Sequence, residues 1–531
     1  MTAEPPPEAA AYAPIAKYRL DLDRNTKPET ASEGLFRELA KDVLGVNVFS
    51  QIKAGDGFVD FVLPEDNGSA VVLELKPLFQ RHSDIELRRY ALKPQNHIHQ
   101  VQRYLREHEY VILTDLREAY LYNARDGLIE NTFFASLPFA ELLARHVETR
   151  SFLDVLRSLE DKVEKPELDR QFFEDLREWF RIFEKIAFTD PAQSAEFIIL
   201  LINKLIFAKT LEDHGLVPYR WIQDEYERQK ERWEPKGAAR VIRAFLQSFE
   251  TFFDEYYDTE LFERKIWDHL GRDEDNLERF SRNLEKVLGI SRWDDVFKRG
   301  IVHYNYRRIN EDIFGKSYEM FLAANRKDEG IFYTPAPITT PMADSLVAAL
   351  FSPLVEKICT FVHQDRCDFA AADDLMAVLA NLRIADTAGG SGGYLIKVLR
   401  AIWAQYGKIE AALAWMDKIK IEGGDLLSLP VGLRAATEFR HRHAFDTKRV
   451  LVARILLRHI YAQVPTRLHA LIAKTNIWLA IVRLNPTEYH FRRLDSAAGI
   501  VFPNLHSIVT EAVNQQRLSL RNPSRRALEL A

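Results

Sequence analysis

Residues 389 to 393, GGSGG, put four glycines and a serine between a strand-like run, "LRIAD", and a helix-periodic run, "YLIKVLRAIWAQYG". A backbone this bare constrains the fold more than any other stretch of the chain. In a strand, loop, helix unit the missing side chains let the main chain come close to a partner, and the first helical N–H groups point outward. A tight strand-to-helix connection with no ligand reads the same way, so neighbouring motifs must decide between them.

At 531 residues the chain has room for about three domains of roughly 100–200 residues. A net charge of −6 gives no overall basic field to hold nucleic acid, so any such contact must be local. Two cysteines, Cys359 and Cys367, cannot build a disulfide framework and form no CxxC pair, which suggests a reducing, cytoplasmic setting. The opening "MTAEPPPEAAAYAP" lacks the basic and apolar regions of a signal peptide and reads as a disordered tail. "FIILLINKLIF", at 197 to 207, is too short to span a bilayer and carries Asn203 and Lys204, so a buried helix is expected and no membrane.

Three compositional zones follow the tail. From 30 to 125, "TASE" has the form of a capping box ahead of "GLFRELAKDVLG", and "FVDFVL", "AVVLEL" and "YVILT" read as strands. From about 145 to 310 the period is helical, with acids and bases mixed as on solvated helix faces. Beyond 310 the α/β pattern returns. No repeat of 20 to 50 residues is present.

Chemistry first gathers in the N-terminal zone. "GFVDFVL" places Asp60 on a strand, and "VVLELKP" places Glu74 and Lys76 on the next, two apart and on one face. Two carboxylates and a lysine suit phosphodiester hydrolysis, the acids holding Mg²⁺ and the lysine activating water or balancing charge; surface charges on ordinary strands would look alike. Glu33 could serve its cap or face the strands. In "QVQRY", Gln100 and Tyr104 stand four apart on one helix face.

These residues in this order resemble the PD-(D/E)xK nucleases, in the branch with a downstream Q-xxx-Y motif found in type I and type IIG restriction enzymes. The resemblance implies a catalytic set of Asp60, Glu74, Lys76, Gln100 and Tyr104, with Glu33 as a further acid, and Mg²⁺ on Asp60 and Glu74.

"DTAGGSGGYL" resembles motif I of γ-class adenine-N6 DNA methyltransferases, usually D-P-A-C-G-S-G-x-F-L. Asp386, Ala388, Gly390, Ser391 and Gly392 match, while Thr387 and Gly389 depart. Upstream, "GIFYTPAPIT" is similar to that family's Y-T-P turn, with Phe332, Tyr333, Thr334 and Pro335 in place. "INKLIFAKTLEDHGL" is similar to a helix of fused restriction-modification proteins. Together these imply S-adenosylmethionine as cofactor, bound by the residues just named, and double-stranded DNA as partner.

Two departures limit that expectation. Where the family has "IYGVDxxPxAVxxAKLNLWL", this chain has "IYAQVPTRLHALIAKTNIWL", which puts Val464 at the position of the ribose-binding acid. Losing such a charge-assisted bond costs about 1.5–3 kcal/mol, roughly tenfold to a hundredfold in affinity. Glu422 or Asp425 could substitute, although a plain turn is the simpler reading. The base-holding N-P-P-Y/F motif occurs nowhere; "RLNPTEY" and "RNPSRR" lack its second proline and aromatic.

The expected architecture is therefore α/β and multidomain: a disordered tail (1–20), a PD-(D/E)xK-like nuclease domain (21–140), a helical spacer (141–310), and a partial, Rossmann-like methyltransferase domain (311–531). It is most similar to type IIG restriction-modification enzymes, shortened at its C-terminus. Besides DNA, a partner chain carrying N-P-P-Y and a target recognition domain would complete it. The alternatives are a DNA-defence scaffold subunit and an inactive fragment.

Overall fold

The computed structural model describes residues 29–45, 48–54, 57–64, 70–77, 79–81, 87–128, 130–162, 168–257, 260–290, 299–309, 334, 336–418, 431–464 and 467–484. Helix α1 (Glu29–Leu39) runs through a π-helical turn into β1 (Phe49–Ala54), β2 (Gly57–Pro64) and β3 (Ala70–Leu75). A small hairpin, β4 (Phe79–Arg81) and β5 (Leu87–Arg89), precedes α2 (Ile98–Leu105). Then come β6 (Tyr110–Thr114), β7 (Glu118–Asn123), α3 (Ala124–Leu128), β8 (Ala135–Pro138), α4 (Phe139–Thr149) and α5 (Phe152–Asp161).

Among the described residues the main sheet has six strands in the order β1-β2-β3-β6-β7-β8. Neighbours are antiparallel except β3 and β6, which run parallel, in register from Val71↔Tyr110 to Leu75↔Thr114. A parallel pair needs a crossover, and α2 supplies it. Each face of the sheet has its own core. Phe61, Leu63, Leu73, Leu75 and Ile112 pack with Phe36 and Leu39 of α1 and with α4 and α5. Val62, Val72, Val111 and Leu113 pack with Val101, Tyr104 and Leu105 of α2. Covered on both sides, β6 is buried at all five positions. Because Phe139 to Leu156 belong to the first core, its packing extends well past residue 140.

The helical zone comprises α6 (Leu168–Phe183), α7 (Ser194–Asp213), α8 (Trp221–Trp233), α9 (Ala238–Tyr257), α10 (Glu260–Glu263), α11 (Ile266–His269) and α12 (Glu274–Leu288). Helix α7 is the buried helix expected at 197–207. Its charges are not on a solvated face, however. Lys204 is wholly buried against Glu250, and Lys209 bonds Glu212 at 2.6 Å and Asp213 at 2.7 Å. At an i, i+3, i+4 spacing one lysine satisfies both acids inside the bundle.

The last zone holds α13 (Ala336–Val362), α14 (Phe369–Ala380), β9 (Ile384–Asp386), α15 (Gly393–Leu413), α16 (Val431–Arg442), α17 (Lys448–His459), β10 (Ile460–Ala462) and α18 (Arg467–Leu484). Its hydrophobic residues and those of the helical zone form one continuous core, joined for example by the Phe207 and Trp478 rings, 4.7 Å apart. The expected division at 310 is therefore not a break in packing. By length and composition α13 could cross a membrane. Here Ala343, Val347, Phe351 and Val355 are buried, whereas Ile338, Met342, Leu346 and Leu350 are exposed.

A polar network joins the first unit to the helical zone. Glu160 of α5 accepts from Tyr110 Oη at 2.5 Å on Oε2 and from Asn123 Nδ2 at 2.9 Å on Oε1, and Arg307 Nη2 lies 3.5 Å from the same Oε2 that Tyr110 bonds. Arg157 pairs with Glu109 beside it.

Candidate functional site

The β2–β3 ladder is paired from Pro64↔Ala70 to Phe61↔Leu73. One residue further along β2, the Asp60 side chain accepts the Leu75 main-chain N–H at 2.7 Å. That bond fixes the carboxylate at the end of β3, next to Glu74. Lys76 continues the parallel pairing through its N–H to Thr114 O, 2.7 Å, so its side chain leaves on the same face as Glu74.

Helix α2 closes this face. Lys76 Nζ lies 2.6 Å from Glu74 Oε1 and 3.1 Å from Gln100 Oε1. Gln100 Nε2 donates to Glu74 Oε1 and to Tyr104 Oη, the latter at 3.0 Å. The structure thus brings Asp60, Glu74, Lys76, Gln100 and Tyr104 together. Glu33 is on α1, which packs through Phe36 and Leu39 on the opposite face of the sheet, and it takes no part in the bonds just described. Position 30, expected to cap the helix at "TASE", already lies inside α1.

Burial sets the electrostatics. Glu74 is almost fully buried, and burial together with the adjacent Asp60 charge raises its pKa above the ordinary carboxylate value. Asp60 is also raised, by burial first, with the Leu75 N–H and Lys76 offsetting only part of the effect. Two acids that resist ionising side by side, with Glu74 Oε2 buried and lacking a hydrogen-bond partner, form a donor set suited to a divalent cation. Asp60 and Glu74 are the residues that would hold Mg²⁺ there; among the described residues no group of three or more acidic, histidine or cysteine ligands gathers. Tyr104 is pushed up by burial and by Glu74. His97 is pushed down by burial and by Lys76, and Tyr90 Oη lies 2.9 Å from its Nε2.

Sequence reading missed Arg103. It donates from Nη2 to Tyr104 Oη at 3.2 Å, its guanidinium 5.1 Å from that ring's centre. Its position three residues after Gln100 was the available signal, since i and i+3 share a helix face.

The glycine turn has the expected strand and helix around it. Strand β9 pairs in parallel with β10, Asp386 opposite Ala462. Asp386 Oδ1 accepts the Ala388 N–H at 3.0 Å, and burial raises its pKa. Gly390 and Gly392 take left-handed φ values of 47° and 86°. Ser391 is buried, and its carbonyl accepts from Asn476 Nδ2 of α18 at 2.8 Å.

At Gly389 and Gly392 the bare backbone faces protein. A Cβ on Gly389 would come within 3.1 Å of Ala462 Cβ and 3.5 Å of Val464 Cγ1. One on Gly392 would come within 3.2 Å of Ala473. Val464, at the place expected for a ribose-binding acid, presents an aliphatic side chain beside the turn. These residues do not fit the ribose end of a nucleoside cofactor. Thr334 is exposed; Phe332, Tyr333, Pro335, Glu422 and Asp425 lie outside the described residues.

No family model matches the sequence. Over 256 residues the chain is 23% identical to a Methanocaldococcus jannaschii protein named "Putative type II restriction enzyme and methyltransferase", covering 40% of this chain and 21% of that one. It therefore spans about a fifth of that relative's length. A solved cryoEM structure of a DrdV–DNA complex aligns with a TM-score of 0.31 and 14% identity, over 96% of this chain and 42% of the other.

Proposed function

We propose that this chain is a restriction-modification protein whose N-terminal unit is a Mg²⁺-dependent endonuclease of the PD-(D/E)xK type, acting on double-stranded DNA. The observation that carries this reading is the convergence of Asp60, Glu74 and Lys76 under Gln100 and Tyr104, with a buried Glu74 oxygen left for a cation. The distant relative's name supports the restriction-modification role. Asp60 and Glu74 would hold Mg²⁺, which when bound would supply Lewis-acid stabilisation of the phosphate. Lys76, held by Glu74 and Gln100, keeps one ammonium beside the carboxylates, where it orients water or balances developing charge. Gln100 ties the lysine, the acid and the tyrosine into one rigid group.

The later zone is proposed to derive from an S-adenosylmethionine-dependent, adenine-N6 methyltransferase, its Rossmann-like part built around β9, the glycine turn and β10. With Val464 at the ribose position, cofactor binding is weak. With no N-P-P-Y/F in the sequence, this chain alone transfers no methyl group to adenine.

The test is cleavage by the full chain. Supercoiled DNA should be nicked with Mg²⁺ or Mn²⁺ and left intact with chelator, and Glu74→Ala or Lys76→Ala should each stop nicking. Metal-dependent cleavage that survives both substitutions would place the chemistry elsewhere. A second reading, a scaffold subunit completed by a partner chain, is favoured by the exposed Ile338, Met342, Leu346, Leu350 and Val378.

A further inference from the structure

The chain is acidic overall, yet residues 79 to 106 carry six Lys or Arg against two acids, with three histidines besides. This stretch leads from the β4–β5 hairpin into α2, which covers the Asp60, Glu74 and Lys76 group. Lys93 and His99 are exposed, and His97 is close enough to Lys76 to feel its charge. Positions 97, 100, 103 and 104 recur at helical spacing, so His97 and the Arg103 guanidinium flank the face that carries Gln100 and Tyr104.

Within this stretch Arg103 is a cation that touches the catalytic set, through Tyr104 Oη. One amino group serves Tyr104 Oη, Nε has no hydrogen-bond partner, and among the described residues no carboxylate neutralises it. A guanidinium has five N–H donors in a planar fork that matches two phosphate oxygens, and one bond to a phenol leaves most of them for another acceptor. Through Tyr104 and Gln100 it stands at fixed reach from Glu74 and Lys76.

We infer that Arg103 holds a non-bridging phosphate oxygen of the DNA strand that enters the Asp60, Glu74 and Lys76 site, as a substrate-binding residue additional to that set. The inference rests on the nuclease reading for its choice of ligand. A strand phosphate approaching two carboxylates is repelled, and a fixed guanidinium on the rim offsets this before the bound cation comes into contact. Arginine bridges two oxygens where lysine offers a point charge, so Arg103→Lys should only partly replace it.

Binding and cleavage are read separately on the full-length protein. In Ca²⁺ buffer, where binding can be followed without turnover, Arg103→Ala should weaken binding of a short DNA duplex about tenfold, and Arg103→Lys by less. The slope of log affinity against log salt should fall by about 0.9 in Arg103→Ala, the loss of one phosphate contact. In Mg²⁺ the same variant should raise KM more than it lowers kcat. Tyr104→Phe separates bracing from binding: if Arg103 acts only by holding the tyrosine, Tyr104→Phe will reproduce the Arg103→Ala defect and leave the salt slope unchanged. An unchanged affinity and salt slope in Arg103→Ala, with circular dichroism matching wild type, overturns the assignment. A wild-type protein that binds duplex DNA with the Arg103-dependent slope but never cleaves it would overturn the nuclease reading and leave the phosphate contact standing; no DNA binding at all would overturn both.

Discussion

The Asp60 carboxylate accepts the main-chain N–H of Leu75, the residue after Glu74, at 2.7 Å, so two acids are held together where the β2–β3 ladder ends. Both are raised above their ordinary pKa values, mainly by burial, and Glu74 is raised further by Asp60. The folded protein then binds more protons than the unfolded chain between the ordinary carboxylate values and the raised ones. Stability from this pair falls as pH rises through that window and does not recover above it without a cation.

The metal-free protein should therefore gain thermal stability when Mg²⁺ is added near neutral pH, and Glu74→Gln should remove both that gain and all cleavage. Without metal, Glu74→Gln should cost nothing or stabilise by up to about 1 kcal/mol, because it removes a buried repulsion while keeping a hydrogen-bonding side chain. Calorimetric scans with and without Mg²⁺ check this. A Glu74→Gln protein that Mg²⁺ still stabilises as it does wild type would mean the ion binds elsewhere.

Much of this site was legible in the sequence because strand alternation is strict. Asp60 in "FVDFVL" and Glu74 and Lys76 in "VVLELKP" stand on observed strands, and the four-residue step from Gln100 to Tyr104 turns both toward Glu74. What periodicity does not carry is which face an element packs against. Glu33 was expected near the strands, but α1 covers the other side of the sheet. Likewise Lys209, Glu212 and Asp213 looked like a solvated face and are buried in mutual contact. Pattern gives the spacing of charges, and only tertiary packing decides whether water or a counter-charge satisfies them. The glycine turn was read correctly as strand, turn and helix, but its proximity to Val464 and Ala473 depends on β10 and α18, which lie far along the chain.

That proximity separates two glycines, one capping the start of α15 and one inside it. Gly392 has φ of 86°, and a Cβ there would sit 3.2 Å from Ala473 Cα and Cβ. Gly392→Val should destabilise the protein by about 2–4 kcal/mol in the absence of any ligand, combining left-handed strain with overpacking. Gly407, inside α15, has open space where its Cβ would be. Gly407→Ala should stabilise by about 0.5–1 kcal/mol through helix propensity. Urea unfolding of both variants distinguishes a packing turn from a purely ligand-binding one, for which Gly392→Val would leave stability unchanged and only S-adenosylmethionine binding would fall.

The network around Glu160 makes the first unit and the helical zone depend on each other. Glu160 is buried, its Oε1 bonded by Asn123 and its Oε2 by Tyr110 from the sheet, with Arg307 beside that same Oε2 and also 3.8 Å from Asp161. Removing one partner of a buried ion pair leaves the other charge uncompensated, at a cost of about 3–5 kcal/mol when nothing else bonds it. Glu160 keeps two neutral donors after Arg307→Ala, so a smaller loss, about 1–3 kcal/mol, is expected. The loss should fall on the joint between the units. Wild type should unfold in urea with the sheet and the helices coupled, whereas Arg307→Ala should show the sheet unit melting at lower denaturant, with the helical core following later. Fluorescence reports on the helical core, since Trp179, Trp221, Trp233 and Trp267 all lie there and the described sheet contains no tryptophan. Hydrogen exchange at β6 amides reports on the sheet. Coincident transitions by both probes in the variant, at an unchanged midpoint, would show that Arg307 does not join the two.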